Sequence, residues 1–417
     1  MKTKLSERRG YAYVIYALCF LMIFFGLGFF STGRGIFLTP ITEALSIKRS
    51  AFAFGDSIRY ITNAAASFFF GYFVNKFGTK KLICVGFISL ITAVLLYASA
   101  SGVIGFYIAG IFLGIGYTCT TTTMVGCVVA KWCHKNVGAV TGVILAANGI
   151  GGAVSTQFFT PIIYESKFGY RNAYYITTLI LIAVLILMLV FYKEKPTPVG
   201  FSEKKKPKGD VTWQGLSLKD ALKKPLFYIV LFCVFLIGVV LQGVTSVYAA
   251  HLKDVGFDAG FVATVVGIHS ITLAVSKIIS GFIYDKFGIR VNILVCTVAG
   301  IVALFSFLSL GNSAAGTALA IVAAVTFAFA LPLETVMLPL FTGNFFGFKD
   351  YNKILGIVCS VAAVGFAAGV PLMNAVYDVF GSYFYGLVAA IVLMFTVTVT
   401  MQFAINISNK LKKETEV

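Results

Sequence analysis

The sequence has little charge. Only 12% of its 417 residues are Asp, Glu, Lys or Arg, against about 25% in an ordinary soluble protein. Acids number 16 against 33 Lys and Arg, and there are only three histidines, two tryptophans and nine prolines. So few polar groups cannot cover a water-facing surface, which excludes a soluble globular chain of this length. No GxSxG, HExxH or P-loop pattern occurs, so neither an enzyme nor a nucleotide-driven pump is indicated, and no cofactor is expected. No metal-type CxxC pair occurs either. The eight cysteines lie in or at the ends of apolar runs and read as packing thiols, with no metal site expected.

What remains is 59% hydrophobic, a composition whose solvent is lipid. Twelve apolar runs are long enough to cross a ~30 Å core: 11–40, 51–74, 82–100, 103–130, 138–162, 172–192, 226–250, 259–284, 291–310, 315–340, 354–377 and 382–407. The net charge of +17 might be read as a nucleic-acid footprint, but its distribution excludes that. Most Lys and Arg fall in the loops of one side, the positive-inside bias of a membrane protein, and both termini are therefore expected in the cytoplasm. Lys2, Lys4, Arg8 and Arg9 precede an apolar run with no cleavage-like end, so the first run reads as a retained span. The expected class is an all-α integral membrane protein of the cell membrane. It has twelve transmembrane helices in two pseudosymmetric six-helix bundles, 1–192 and 226–417, joined by a lysine-rich cytoplasmic linker, 193–225. Trp213 and Leu216 in that linker fit either a short amphipathic helix or a solvated tether.

The division into halves rests on a repeat. GYFVNKFGTK at Gly71 to Lys80 returns as GFIYDKFGIR at Gly281 to Arg290, 210 residues later. Each copy ends one apolar run and opens the next, so Gly71, Asn75, Gly78 and Lys80 match Gly281, Asp285, Gly288 and Arg290; that these turns gate the cytoplasmic side is what the family resemblance given below implies. Further on, Gly142 aligns with Gly356 at an offset of 214, which places Thr120 opposite Glu334. Internal symmetry in an apolar chain points to a transporter with its substrate site where the repeats meet. Small residues crowd spans 5 and 11 and predict close helix packing.

A charge at mid-bilayer costs about 2.5–3.5 kcal/mol on insertion scales, so each one needs a purpose. Five qualify: Arg34, Arg59, His269, Lys277 and Glu334. Lys277 is one helical turn, about 6 Å of rise, before Gly281. It reads as an anion site or as a snorkelling side chain. Glu334 is expected at similar depth along a parallel span, and the family resemblance given below implies that it is near enough to Lys277 to act as its counter-ion. It is either a proton-coupling group or half of a static pair. Arg59 is the repeat mate of His269, and Asp56 is its local partner at i,i+3. His269 is the one intramembrane group whose ordinary titration range is near neutral, and it is equally a core histidine. Tyr117, Thr120 and Asn148 are the polar groups expected to complete a substrate pocket with Arg34, Lys277 and Arg59. Asn63, Gln242, Thr245 and Tyr248 are further candidates, although a hydroxyl in a membrane helix often bonds its own backbone.

Twelve spans, homologous halves and the paired turn resemble the Major Facilitator Superfamily. Gly33-Arg34-Gly35-Ile36-Phe37, Lys131-Trp132 followed by Gly138 and Gly142, and Lys277 before Gly281 are similar to its monocarboxylate-transporter and oxalate:formate-antiporter branches. Asn75 replaces the usual Asp of the first turn. Leu273 stands where animal-type monocarboxylate carriers have Asp, and span 11 has no Lys. The resemblance implies a secondary transporter working by alternating access as a monomer. Its partners are the bilayer, a small organic anion of the lactate or pyruvate type and protons. An oxalate/formate-type exchanger, a drug efflux antiporter and a non-transporting membrane sensor stay open as alternatives.

Overall fold

A computed structural model describes residues 2–29, 37–133, 135–165, 168–194 and 215–415. The chain divides into two compact units, Met1–Gly200 and Phe201–Val417. In the first unit α1 (Lys2–Leu21) runs into a π-helical segment, Met22–Phe29. Then follow α2 (Leu38–Leu45), α3 (Arg49–Phe77), α4 (Thr79–Ser99), α5 (Val103–Thr120), α6 (Thr122–Trp132), α7 (Val137–Tyr164) and α8 (Gly169–Phe191). The second unit holds the short α9 (Leu218–Leu222), α10 (Pro225–Asp254), α11 (Ala259–Leu308) and α12 (Ala314–Ala330). A 3-10 turn at Leu331–Glu334 leads to α13 (Met337–Phe346), α14 (Tyr351–Phe380) and α15 (Phe384–Thr415).

Ten stretches among the described residues are long and apolar enough to cross a membrane. One of them, Gly260–Leu308, is 49 residues long, far beyond a single crossing. It is two spans that meet at Gly288, whose φ of 80° and ψ of 177° interrupt the helix. The 29-residue α3 is the twelfth span; Arg49, Asp56, Arg59 and Lys76 dilute its apolar content. Gly78, the repeat mate of Gly288, has nearly the same backbone, φ 82° and ψ 166°. Positive φ with extended ψ is open in practice only to glycine, which explains the glycine in both turns. Spans 4 and 10, expected as continuous helices, are each broken, at Thr121 and over Leu331–Val336. Two prolines, Pro332 and Pro339, account for the second break.

The two units are assembled by the same pairings. In the first, α3 and α4 pack along α5, α4 along α8, and the π-helical segment along α7. In the second, α11 packs along α12 and α15, and α10 along α14. The crossings are made by glycine. A Cβ on Gly28 would stand 2.8 Å from the Cα of Gly151, and one on Gly365 would stand 2.5 Å from the Phe235 carbonyl oxygen and 3.2 Å from the Cα of Gly238. Without an apolar driving force between helices in lipid, such close backbone approach supplies the dispersion contact that holds them. The eight cysteines are free thiols, buried or half-buried.

Residues 195–214 of the expected linker, Trp213 included, lie outside the described residues. The segment that follows docks onto the second unit. Gly215 pairs with Gly347, the Leu216 amide donates to the Phe346 carbonyl at 2.8 Å, and the Leu218 amide donates to Asp350 Oδ2 at 2.9 Å.

Gly365→Leu should destabilise the protein by about 1–3 kcal/mol through overpacking. Gly267→Ala, where a Cβ meets nothing within 4 Å, should leave stability unchanged or raise it slightly. Thermal melts of the two variants in one detergent check the contrast; equal melting temperatures would count against the glycine crossing.

Candidate functional site

The charged residues that the sequence marks fall into separate groups in the two units. In the second, Lys277 is on α11 and only 2% exposed. Glu334 ends the 3-10 turn. The two are near enough that each acts on the other's charge. The Glu334 Oε2 atom is buried and accepts no hydrogen bond. The helix break puts Glu334 there. Pro332 has no N–H, so the Ala328 carbonyl loses its helical donor. The Ser276 hydroxyl, one residue before Lys277, donates to that carbonyl at 2.7 Å. Thr335, with φ −129° and ψ −75°, closes the turn, and its hydroxyl donates to the Leu331 carbonyl at 3.3 Å. The opened backbone is thus satisfied by neighbouring hydroxyls, as lipid requires. Sequence reasoning did not single out Ser276. The signal was a serine beside the buried lysine, facing a proline-bearing helix.

His269 is 5% exposed, and its Nδ1 lies 3.0 Å from the Ala324 carbonyl oxygen. A carbonyl only accepts, so Nδ1 carries the proton. The ring stacks on Phe327 at 5.7 Å between centroids and packs against Tyr248 at 5.3 Å. These contacts make His269 a tie between α11 and α12 in a mostly apolar setting.

In the first unit Arg59 pairs with Asp56 at 3.1 Å. Its guanidinium lies 4.1 Å from the Tyr60 ring centroid and 5.4 Å from that of Tyr117. The structure thus brings Arg59 and Tyr117 together, in a cation–π arrangement that spares the guanidinium some of its desolvation cost. Beside them Asn63 Nδ2 donates to Thr118 Oγ1 at 3.2 Å, and the hydroxyls of Ser67 and Thr118 meet at 3.4 Å. Thr120 is buried, and its hydroxyl donates to the Gly116 carbonyl at 2.8 Å, so it serves its own helix. Asn148 is half-buried on α7, one turn before the Gly151 crossing. Arg34 lies outside the described residues.

Of the turn residues, Gly71 and Gly281 are buried, Lys80 is half-exposed, and Asn75, Asp285 and Arg290 are exposed. Arg290 donates to Asn406 Oδ1 on α15. The first turn has a partner that sequence reasoning placed in the linker. Glu194 accepts from the Thr79 amide and, at 3.1 Å, from the Thr79 hydroxyl, and lies 3.8 Å from Lys131. A carboxylate at the first amide of α4 sits at the positive end of that helix. Its signal was an acid just past span 6, in a run otherwise rich in lysine.

Asp350, in the loop before α14, accepts from the Leu218 amide and pairs with Lys353 at 3.0 Å. Partial burial pushes its carboxyl up, but the Leu218 amide and the Lys353 ammonium outweigh that and hold it below the usual carboxylate range. A depressed carboxyl stabilises the fold at pH values above its unfolded value, and that contribution is lost as pH falls through the lowered one. The docking of Leu216 to Leu222 should therefore persist at neutral pH and loosen only in acid below the ordinary Asp range. Hydrogen exchange of these amides across a pH series checks this. Asp350→Asn should abolish the pH dependence.

Residues 16–333 match the sequence model of the Major Facilitator Superfamily. YcxA of Bacillus subtilis (strain 168), an uncharacterized MFS-type transporter, is 24% identical over 280 residues, covering 62% of this chain and 67% of that protein. The sialic acid transporter NanX of Escherichia coli (strain K12) is 22% identical over 318 residues, 72% of this chain and 70% of NanX. The multidrug resistance protein MdtG of Enterobacter lignolyticus (strain SCF1) is 23% identical over 239 residues, 57% of this chain and 54% of MdtG. Among solved structures, the E. coli fucose:proton symporter FucP superposes with a TM-score of 0.72 at 14% identity, over 94% of this chain and 99% of FucP. The proton:xylose symporter XylE gives 0.74 at 14% identity, over 96% of each chain.

Proposed function

We propose that this chain, which belongs to the Major Facilitator Superfamily and is a multi-pass secondary transporter, carries small organic anions of the lactate or pyruvate type together with protons. The observation that carries this reading is a buried ammonium, Lys277, facing a carboxylate whose Oε2 atom is buried and unpartnered. A lone charge in such surroundings is untenable, so the pair has two stable conditions. In one, ammonium and carboxylate neutralise each other. In the other, a substrate carboxylate takes the ammonium and Glu334 is neutralised by a proton. Anion and proton then enter the same state and leave from it, which is symport with no further machinery. Arg34 is the second cation of the proposal and suits bidentate recognition of a carboxylate. Arg59, engaged by Asp56 and the rings of Tyr60 and Tyr117, is assigned to orienting the first unit's polar groups, and Asn148 on α7 is kept as a further polar group of that unit.

One relative is named for an acid, NanX for sialic acid, which agrees with an anionic cargo. The MdtG relatives are named for drug resistance, and that reading favours cationic or neutral cargo. A buried lysine repels a cation in a medium of low dielectric, which is the reason to rank the anion first. We place the protein in the cell membrane with both termini in the cytoplasm, on the distribution of its Lys and Arg.

Uptake of labelled lactate, pyruvate, formate, oxalate and sialic acid into vesicles holding the purified protein tests the proposal. An imposed proton gradient should drive accumulation of at least one acid. Lys277→Gln should cut it by about 30-fold or more, equivalent to ~2 kcal/mol for one partner of a buried charge pair. Glu334→Gln should keep exchange of labelled for unlabelled anion and lose the response to the gradient. Accumulation of a lipophilic cation in place of any acid would overturn the reading.

A further inference from the structure

The two units follow one plan, but between two matching glycine crossings they differ in length by four residues. The Gly28–Gly151 crossing of the first unit returns as Gly238–Gly365 in the second. The first member of each pair is offset by 210 residues and the second by 214. Four residues have therefore been added between them. The offset is still 210 deep in α12. The Ser67–Thr118 contact of the first unit returns, shifted by one residue on α11, as the Ser276 hydroxyl on the Ala328 carbonyl, and Thr118 and Ala328 are 210 apart. The last residues of α5 and α12, Thr120 and Ala330, also match at 210. By the ends of α6 and α13, Trp132 and Phe346, it is 214. Between α12 and α13 lie the four residues of the 3-10 turn, Leu331–Glu334, and then Thr335 and Val336, which match Thr121 and Thr122 at 214. The single break residue of the first unit, Thr121, then matches Thr335, and both hydroxyls donate to the carbonyl four residues back. Thr120 is thus the counterpart of Ala330, and Glu334 has no counterpart in the first unit.

We propose that Leu331–Glu334 is an added helical turn that gives the second unit a proton-carrying carboxylate, so that coupling to protons resides in that unit alone. At the matching place the first unit has neutral groups, the hydroxyls of Ser67 and Thr118 and the Asn63 amide. Ser67 stands where Lys277 stands, and it is wholly buried against Thr118. That contact is neutral and complete, and it gains nothing from a proton. In the second unit the same crossing holds an ammonium, and the added turn brings its counter-ion. The turn packs against α10, α11, α12 and α13. Lys277 on α11 is the charged group that acts on Glu334. On α11 His269 lies about two turns before Lys277, and Asp285, Lys286 and Arg290 lie two turns or more beyond it and are exposed; α12 and α13 have no charged residue, and the His251, Lys253 and Asp254 of α10 are at its far end. The cycle balances. The Glu334 carboxylate takes a proton from water on the side where an anion reaches Lys277. It returns that proton to water on the other side when the anion leaves and the ammonium is free to face it again.

The proton site rests on the geometry of this turn; only the choice of an anion as co-substrate rests on the proposed function. Infrared difference spectroscopy of the purified protein in lipid, titrated with pH, tests it without any cargo. The wild type should show a carboxylic-acid carbonyl band that titrates. Glu334→Gln should remove it, and Lys277→Gln should make it persist to higher pH. A band unchanged in Glu334→Gln would overturn the proton site. Deleting 331–334 together with Lys277→Ser rebuilds the crossing as the first unit has it. That variant should remain monodisperse, melt within a few degrees of wild type and lack the band. If it fails to fold while Glu334→Gln folds, the turn is integral to the bundle and the insertion is overturned.

Discussion

A lysine ammonium held away from water sets the terms for the second half of this protein. Lys277 is 2% exposed, and lipid offers no solvation to replace what it has lost. Its carboxylate partner lies more than fifty residues along the chain, so two helices must cross at a defined height and one must open to present the acid. Pro332 opens it by withholding an N–H, and the Ser276 hydroxyl takes up the Ala328 carbonyl that is left. The same break that would be a defect in an uninterrupted helix becomes the support of a charged site. Irregular backbone at membrane depth is tolerated where protein groups complete it.

The rest of each bundle is built from cheaper contacts. Glycines let backbones touch where the π-helical segment meets α7 and where α10 meets α14. Positive φ at Gly78 and Gly288 turns the chain between spans. Where the bundles differ, they differ in charge. The first turn is secured by Glu194, bonded to Thr79 and near Lys131, whereas the second uses Arg290 on Asn406. Asn75 therefore does not leave the first turn without a nearby acid. The acid comes from past the end of α8.

Much of the fold was legible in advance. Twelve apolar runs became twelve spans, and the repeated turn became two matching glycine bends. The surplus of four residues was also visible, as a change of offset from 210 to 214, yet its location was not. A helix pattern accepts four extra residues almost anywhere, because four residues make roughly one turn and keep the same face. That is why alignment on Gly142 and Gly356 set Thr120 opposite Glu334, whereas the proposed insertion sets it opposite Ala330. Among the candidate site residues, the similar depth of Lys277 and Glu334 followed from their positions along parallel spans, and their proximity from the family resemblance. The partners of Arg59 on α5, the carbonyl held by His269 and the self-bonded hydroxyl of Thr120 did not follow.

The sequence by itself determined what is local. Apolar length sets a span, glycine permits a turn, and scarce charge assigns the solvent. Each of these depends on a residue and its near neighbours. Only the tertiary structure decided which face of each helix meets another, and hence which polar groups are satisfied and which are left in need. Rotation and register across a helix crossing depend on the whole bundle, so Ser276 beneath a proline-broken turn, and Glu334 with one oxygen unpartnered, become visible only once the helices are packed.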